Sequence, residues 1–124
     1  MKAVIFALVL LLHPAPLLAT VNPTAILQAD VLDMKSSTCD RGVVFFRGVV
    51  KIDETYYSIW FAPSNGLALF VEHRLDGSAV EAAYGSLTVP EKGVPVFVET
   101  VRLRGRALKE RYPDPCDWLA GKQA

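Results

Sequence analysis

Four turn sequences constrain the fold of this chain more than any other feature. Asp53-Glu54-Thr55, Pro63-Ser64-Asn65-Gly66, Asp76-Gly77 and Glu91-Lys92-Gly93 follow one another at intervals of about one strand and one turn. Asn-Gly and Asp-Gly accept the positive φ angles of tight hairpins at little steric cost. The segments between the turns are rich in Val, Phe, Tyr and Trp, which suit a pleated surface better than a helix. Strands are therefore predicted at 43–52, 56–62, 67–75, 79–89 and 94–104, and the spacing predicts an antiparallel all-β domain.

The flanking segments are read by periodicity. Between Thr24 and Met34, alternation places Leu27, Ala29 and Val31 on one side with Gln28 and Asp30 opposite, which favours a strand. Asn22-Pro23 would also start a helix there. After Gly105, the run Arg106 to Tyr112 places Leu108 and Tyr112 four apart, a short helix stopped by Pro113 and Pro115. The expected architecture is a bent sheet of five or six strands, closed or nearly closed as a small OB-like barrel, with a short C-terminal helix. A two-sheet sandwich is the alternative.

The first residues are read as an address rather than as structure. Met1-Lys2 brings one positive charge, Ala3 to Leu12 is apolar throughout, and His13-Pro14-Ala15-Pro16 breaks the run. About ten apolar residues fit a signal peptide, whereas a bilayer span takes roughly twenty. The expected division is a signal peptide over 1–19, cut after Ala19 or within a few residues of it, and one small β domain over 20–124. No later run approaches bilayer length, so no transmembrane segment is expected in the mature chain. Its two cysteines, Cys39 and Cys116, read as one disulfide formed in an oxidising compartment, periplasmic or extracellular. Closing so long a loop stabilises by on the order of 4 kcal/mol.

Charge excludes one class of partner. The chain has 13 Lys and Arg against 13 Asp and Glu, and leader removal subtracts only Lys2. Proteins that live on phosphate backbones carry a basic excess, so nucleic acid is not expected. The one basic cluster in the sequence is Arg102, Arg104 and Arg106, which could grip an acidic partner, an anionic glycan or a lipid head-group surface, or discourage edge-to-edge strand pairing.

Alternation sorts the strand residues by face. The expected core set is Val44, Phe46, Val50, Ile52, Tyr57, Ile59, Phe61, Leu67, Leu69, Val71 and Leu75. A second surface is then left over, made of Phe45, Arg47, Tyr56, Trp60, Phe70 and Arg74. Aromatic rings beside guanidinium groups are the composition of interface hot spots. The alternative is that the C-terminal helix and Trp118 cover those rings as a second core layer.

Catalytic signatures are absent. His73 is the sole histidine of the mature chain, and a nucleophilic triad would have to join it to Ser58, Ser64, Ser78 or Ser86. No Gly-x-Ser-x-Gly turn supports one. Asp53 with Glu54 and Glu72 with Asp76 are carboxylate pairs at turns, where acids are common for solvation. No metal-ligand spacing or phosphate-binding loop occurs, and no cofactor is expected. The expected function is a non-enzymatic binding or interaction module of the cell envelope or extracellular space. Its partner would be another protein or an envelope or extracellular ligand. A secreted inhibitor presenting the Pro63–Gly66 hairpin and a small hydrolase are the alternatives.

Overall fold

The computed structural model describes residues 21–40, 42–111 and 114–121. The expected signal peptide, its expected cut and Tyr112 lie outside them. The elements in chain order are α1 (Pro23–Gln28), β1 (Leu32–Thr38), β2 (Val44–Ile52), β3 (Thr55–Ala62), β4 (Leu67–His73), β5 (Ala79–Thr88), β6 (Val96–Arg104), α2 (Gly105–Arg111) and α3 (Pro115–Leu119).

All six strands form one antiparallel sheet in the order β1-β2-β3-β4-β5-β6, each paired with its chain neighbours. β1 and β6 do not pair, so the sheet stays open, and the expected barrel closure does not occur. The reason lies in β3, β4 and β5, whose central residues are buried on both sides of the sheet. A small barrel hides one face inside itself; here separate segments cover both faces of a single sheet.

Over the first face lie α2 and α3, where Leu108, Trp118 and Leu119 meet Trp60, Leu69, Val71, Ala82, Tyr84 and Leu103. Over the second lies the N-terminal segment, where Val21 and Ile26 meet Val50, Tyr57, Ile59, Ala68, Phe70, Ala83 and Leu87. Residues 24–34 are thus not one strand. The Asn22 side chain accepts the Ala25 N–H at 3.2 Å, Pro23 occupies the first turn, and Ile26 is fully buried. Capping and burial together outweigh the alternation, and the chain becomes β1 only after Val31.

Register also corrects the sorting of faces. The pairs Trp60↔Leu69 and Ile59↔Phe70 put Trp60 with Leu69 on the first face and Phe70 with Ile59 on the second. Alternation within each strand is as expected, but the phase between β3 and β4 is the reverse. Leu75, expected in the core, lies beyond the end of β4 and is 91% exposed.

The disulfide joins Cys39, just after β1, to Cys116 in α3, with Cα atoms 5.7 Å apart. It holds one edge of the sheet to the helix that covers the first face.

On the second face the N-terminal segment is fastened by charge. Glu81, 2% exposed, accepts the Val21 N–H at 2.8 Å and a bond from Arg102 Nη1 at 2.7 Å, while the same Arg102 nitrogen donates to the Val21 carbonyl at 2.9 Å. Arg102 also pairs with Glu99 at 2.6 Å. Arg102→Met is expected to lower the unfolding free energy by about 2 kcal/mol, less than a fully buried pair, because the arginine is partly exposed and Arg104 Nη1 remains 3.7 Å from Glu81. Urea melts of this variant and of the double variant Arg102→Met/Glu81→Gln check the point. If the double variant is no more stable than the single, an uncompensated Glu81 charge is not the cause.

Candidate functional site

The covering helices leave one end of the first face open. At the end near the β3–β4 turn, α3 is locked down: Tyr84 Oη donates to the Trp118 carbonyl at 2.7 Å, and Asn65 Nδ2 donates to the Leu119 carbonyl at 2.6 Å. Asn65 belongs to the hairpin expected as an inhibitory tip, and its side-chain amide is engaged within the fold. At the opposite end, by the β2–β3 and β4–β5 turns, a depression of about 300 Å3 is bordered by Arg47, Tyr56, Ser58, His73, Arg74 and Leu75.

Each side chain is placed by register. Arg47 stands opposite Trp60 and Lys51 opposite Tyr56 across β2 and β3, while Tyr56 faces His73 across β3 and β4. The Arg47 guanidinium lies 5.3 Å from the Trp60 ring centroid and the Lys51 ammonium 5.5 Å from that of Tyr56. Both are cation–π distances, so the aromatic rings hold the cations in place without neutralising them.

Beneath them, Ser58 Oγ and His73 Nε2 are 2.8 Å apart, and His73 Nδ1 is 3.2 Å from the Gly77 carbonyl. A carbonyl only accepts, so Nδ1 carries the proton and Nε2 accepts from the Ser58 hydroxyl. Burial, chiefly, and the charge of Arg47 hold the His73 pKa below its ordinary value of 6.5, although the Gly77 carbonyl opposes them. The neutral imidazole therefore contributes stability that is full above the unfolded value and is lost as the pH falls through the lower folded one. Glu72, raised by burial and by Glu81, acts with the opposite sign: its contribution is present below 4.5 and lost as the pH rises. The expected result is a wild-type urea midpoint that falls between about pH 7 and pH 5 more steeply than that of His73→Gln. Parallel slopes would count against it.

The charges at this end differ from those of the Arg102, Arg104 and Arg106 cluster, although Lys35, Lys92 and Lys109 also make no ion pair among the described residues. Among the described residues, Arg47, Lys51 and Arg74 have no carboxylate within ion-pair distance, whereas Arg102, Arg104 and Arg106 are all paired, the last with Glu110 at 2.8 Å. No acid borders the depression. No family model, curated protein or solved structure matches this chain. The chemistry of the open end is thus the available guide to function, and it suits a ligand that carries negative charge.

Of the surface expected from sequence, the structure brings together Arg47, Tyr56 and Arg74. Trp60 lies under them, 7% exposed and within the first-face core; Phe45 is half-buried against the same core; Phe70 is fully buried on the other face. The helix-covered alternative thus describes Trp60 and Phe45. Lys51 and Leu75 were missed. Lys51 was legible as an outward residue in phase with Arg47, and Leu75 as the residue before the Asp76-Gly77 turn, past the reach of a strand. Among the described residues no cluster of His, Cys, Asp and Glu could hold a metal ion, and no helix is long and apolar enough to cross a membrane.

Proposed function

We propose that this chain is an exported, non-enzymatic binding module of the cell envelope or extracellular space, with the open end of the first face as its contact surface. The apolar opening of the sequence supports removal of a leader near Ala19, and the Cys39–Cys116 bond suits an oxidising compartment. The observation that carries the binding reading is the set of three cations that make no close ion pair among the described residues, Arg47, Lys51 and Arg74, around a depression bordered by exposed Tyr56 and Leu75; Glu72 and Asp76 act on Arg74 only at longer range. Cations and an aromatic ring that the fold does not neutralise remain for a partner. The partner is a protein or an envelope ligand with negative charge. The near-neutral composition argues against nucleic acid.

The test is capture from envelope and culture extracts by the wild-type domain and by Arg47→Glu/Arg74→Glu. Both arginines are exposed, so the variant should stay folded, its urea midpoint lowered only by the lost Arg47–Trp60 contact, while capture is lost. Equal capture by the two proteins refutes the surface.

The Ser58–His73 pair favours a second reading, hydrolysis through an activated Ser58, because the imidazole tautomer is the one a general base needs. Against it, the ring is oriented by a carbonyl rather than a carboxylate, and Ser58 is 2% exposed in mid-strand. A fluorophosphonate probe should leave the protein unlabelled; labelling that disappears in Ser58→Ala would establish the enzyme instead.

A further inference from the structure

Resting on the binding-module reading, we propose that the open end of the first face docks on the surface of an anionic phospholipid bilayer. Leu75 decides between a membrane and a soluble acidic partner. It stands 91% exposed in the β4–β5 turn, next to Arg74 and on the rim of the depression that Arg47 and Tyr56 also border. Tyr56 is 38% exposed and carries the Lys51 ammonium over its ring. A leucine side chain standing in water beside a tyrosine and three cations has the composition of a membrane-interface surface. The leucine enters the acyl boundary, the phenol sits at head-group depth, and the guanidinium and ammonium groups meet lipid phosphates.

The nearby acids Glu72 and Asp76 act on Arg74 electrostatically but form no ion pair with it. The Asp76 carboxylate is turned onto Ser78, accepting from its N–H at 2.8 Å and its hydroxyl at 2.6 Å. Glu54, Glu72 and Asp76 border a second depression, which shares His73, Arg74 and Leu75 with the first. Three acids thus line the second depression and none the first, which orients the domain: the Arg47 side faces lipid and the Glu54 side faces water. Burying one leucine side chain and neutralising a few cations gives a reversible, salt-sensitive association rather than insertion.

The experiment is sedimentation of the exported, disulfide-bonded protein with vesicles of phosphatidylcholine alone or with about 30 mol % phosphatidylglycerol. Binding is expected to the anionic vesicles only. Raising the salt from about 0.1 M to about 0.5 M should weaken it severalfold, because the screening length shrinks. Arg74→Gln should lower the partition coefficient about fivefold and Leu75→Ser about tenfold, with unfolding midpoints unchanged. Equal binding to both vesicle types, binding to neither, or indifference to Leu75→Ser would overturn the proposal. A polyglutamate peptide separates its failure from that of the reading beneath it. Arg74-dependent peptide binding without vesicle binding removes the membrane and keeps the face. No binding to either, together with extract capture that survives Arg47→Glu/Arg74→Glu, removes both.

Discussion

Trp118→Ala is expected to lower the unfolding free energy by about 3–5 kcal/mol, the range for deleting a large aromatic side chain from a packed core. Trp118 is the largest fully buried side chain of the described residues and joins α3 to the sheet. Its ring lies edge-on to Tyr84 with centroids 4.7 Å apart, and the Tyr84 hydroxyl donates to its carbonyl. Truncation would leave a cavity between helix and sheet that a five-residue helix cannot close by shifting alone, since Asn65 and the disulfide hold it at both ends. The indole N–H has no hydrogen-bond partner among the described residues. Packing rather than polarity therefore holds the ring, and Trp118→Phe should recover more than half of the loss. Urea midpoints of the two variants check this. A phenylalanine variant as unstable as the alanine one would show that the indole N–H matters after all.

Replacing both cysteines with serine is expected to cost about 4 kcal/mol, the second large effect. The crosslink closes a loop of 77 residues by sequence separation, running from the end of β1 through the rest of the sheet to α3. Without it the unfolded chain gains most of the freedom the bond removes, and α3 keeps Trp118, Leu119 and the Tyr84 and Asn65 bonds to hold it on the first face. The readout is the midpoint of the oxidised wild type against that of the double serine variant, with Trp fluorescence reporting helix release. A shift of less than about 1 kcal/mol would show that the native structure around the bond offsets the chain-entropy gain.

Much of the secondary structure was legible because hairpin turns and strands announce themselves locally. The Asn65-Gly66 and Asp76-Gly77 pairs mark the β3–β4 and β4–β5 connections, and Gly66 and Gly77 have φ of +71° and +90°. The N-terminal helix was harder, since Leu27, Ala29 and Val31 alternate like a strand. Docking of Ile26 on the second face is a tertiary event that no window of eleven residues contains. The double burial of the sheet did leave a trace, the unbroken apolar runs Ile59-Trp60-Phe61 and Leu67 to Val71. Such runs mark strands covered on both sides and argue against a surplus aromatic face.

The candidate site was half legible. Alternation within one strand correctly places Arg47 in phase with Lys51, and Tyr56 with Ser58, because successive side chains point to opposite sides of a pleat. What alternation lacks is the phase of one strand against the next. An odd or even offset in pairing decides whether Trp60 shares a face with Phe70 or with Leu69, and that offset comes from hairpin geometry and the burial of whole faces.

From the residues alone came the antiparallel strands, the turns that connect them, the pairing of two lone cysteines and the near balance of charge. The tertiary structure alone decided that the sheet stays open, that Trp60 and Phe70 are buried on opposite faces, and that Arg102 is clamped between Glu81 and Glu99 while Arg47, Lys51 and Arg74 make no ion pair among the described residues. The first set depends on backbone preferences acting over a few neighbours. The second depends on which distant side chains meet in space, and a charge is compensated or uncompensated only with respect to those.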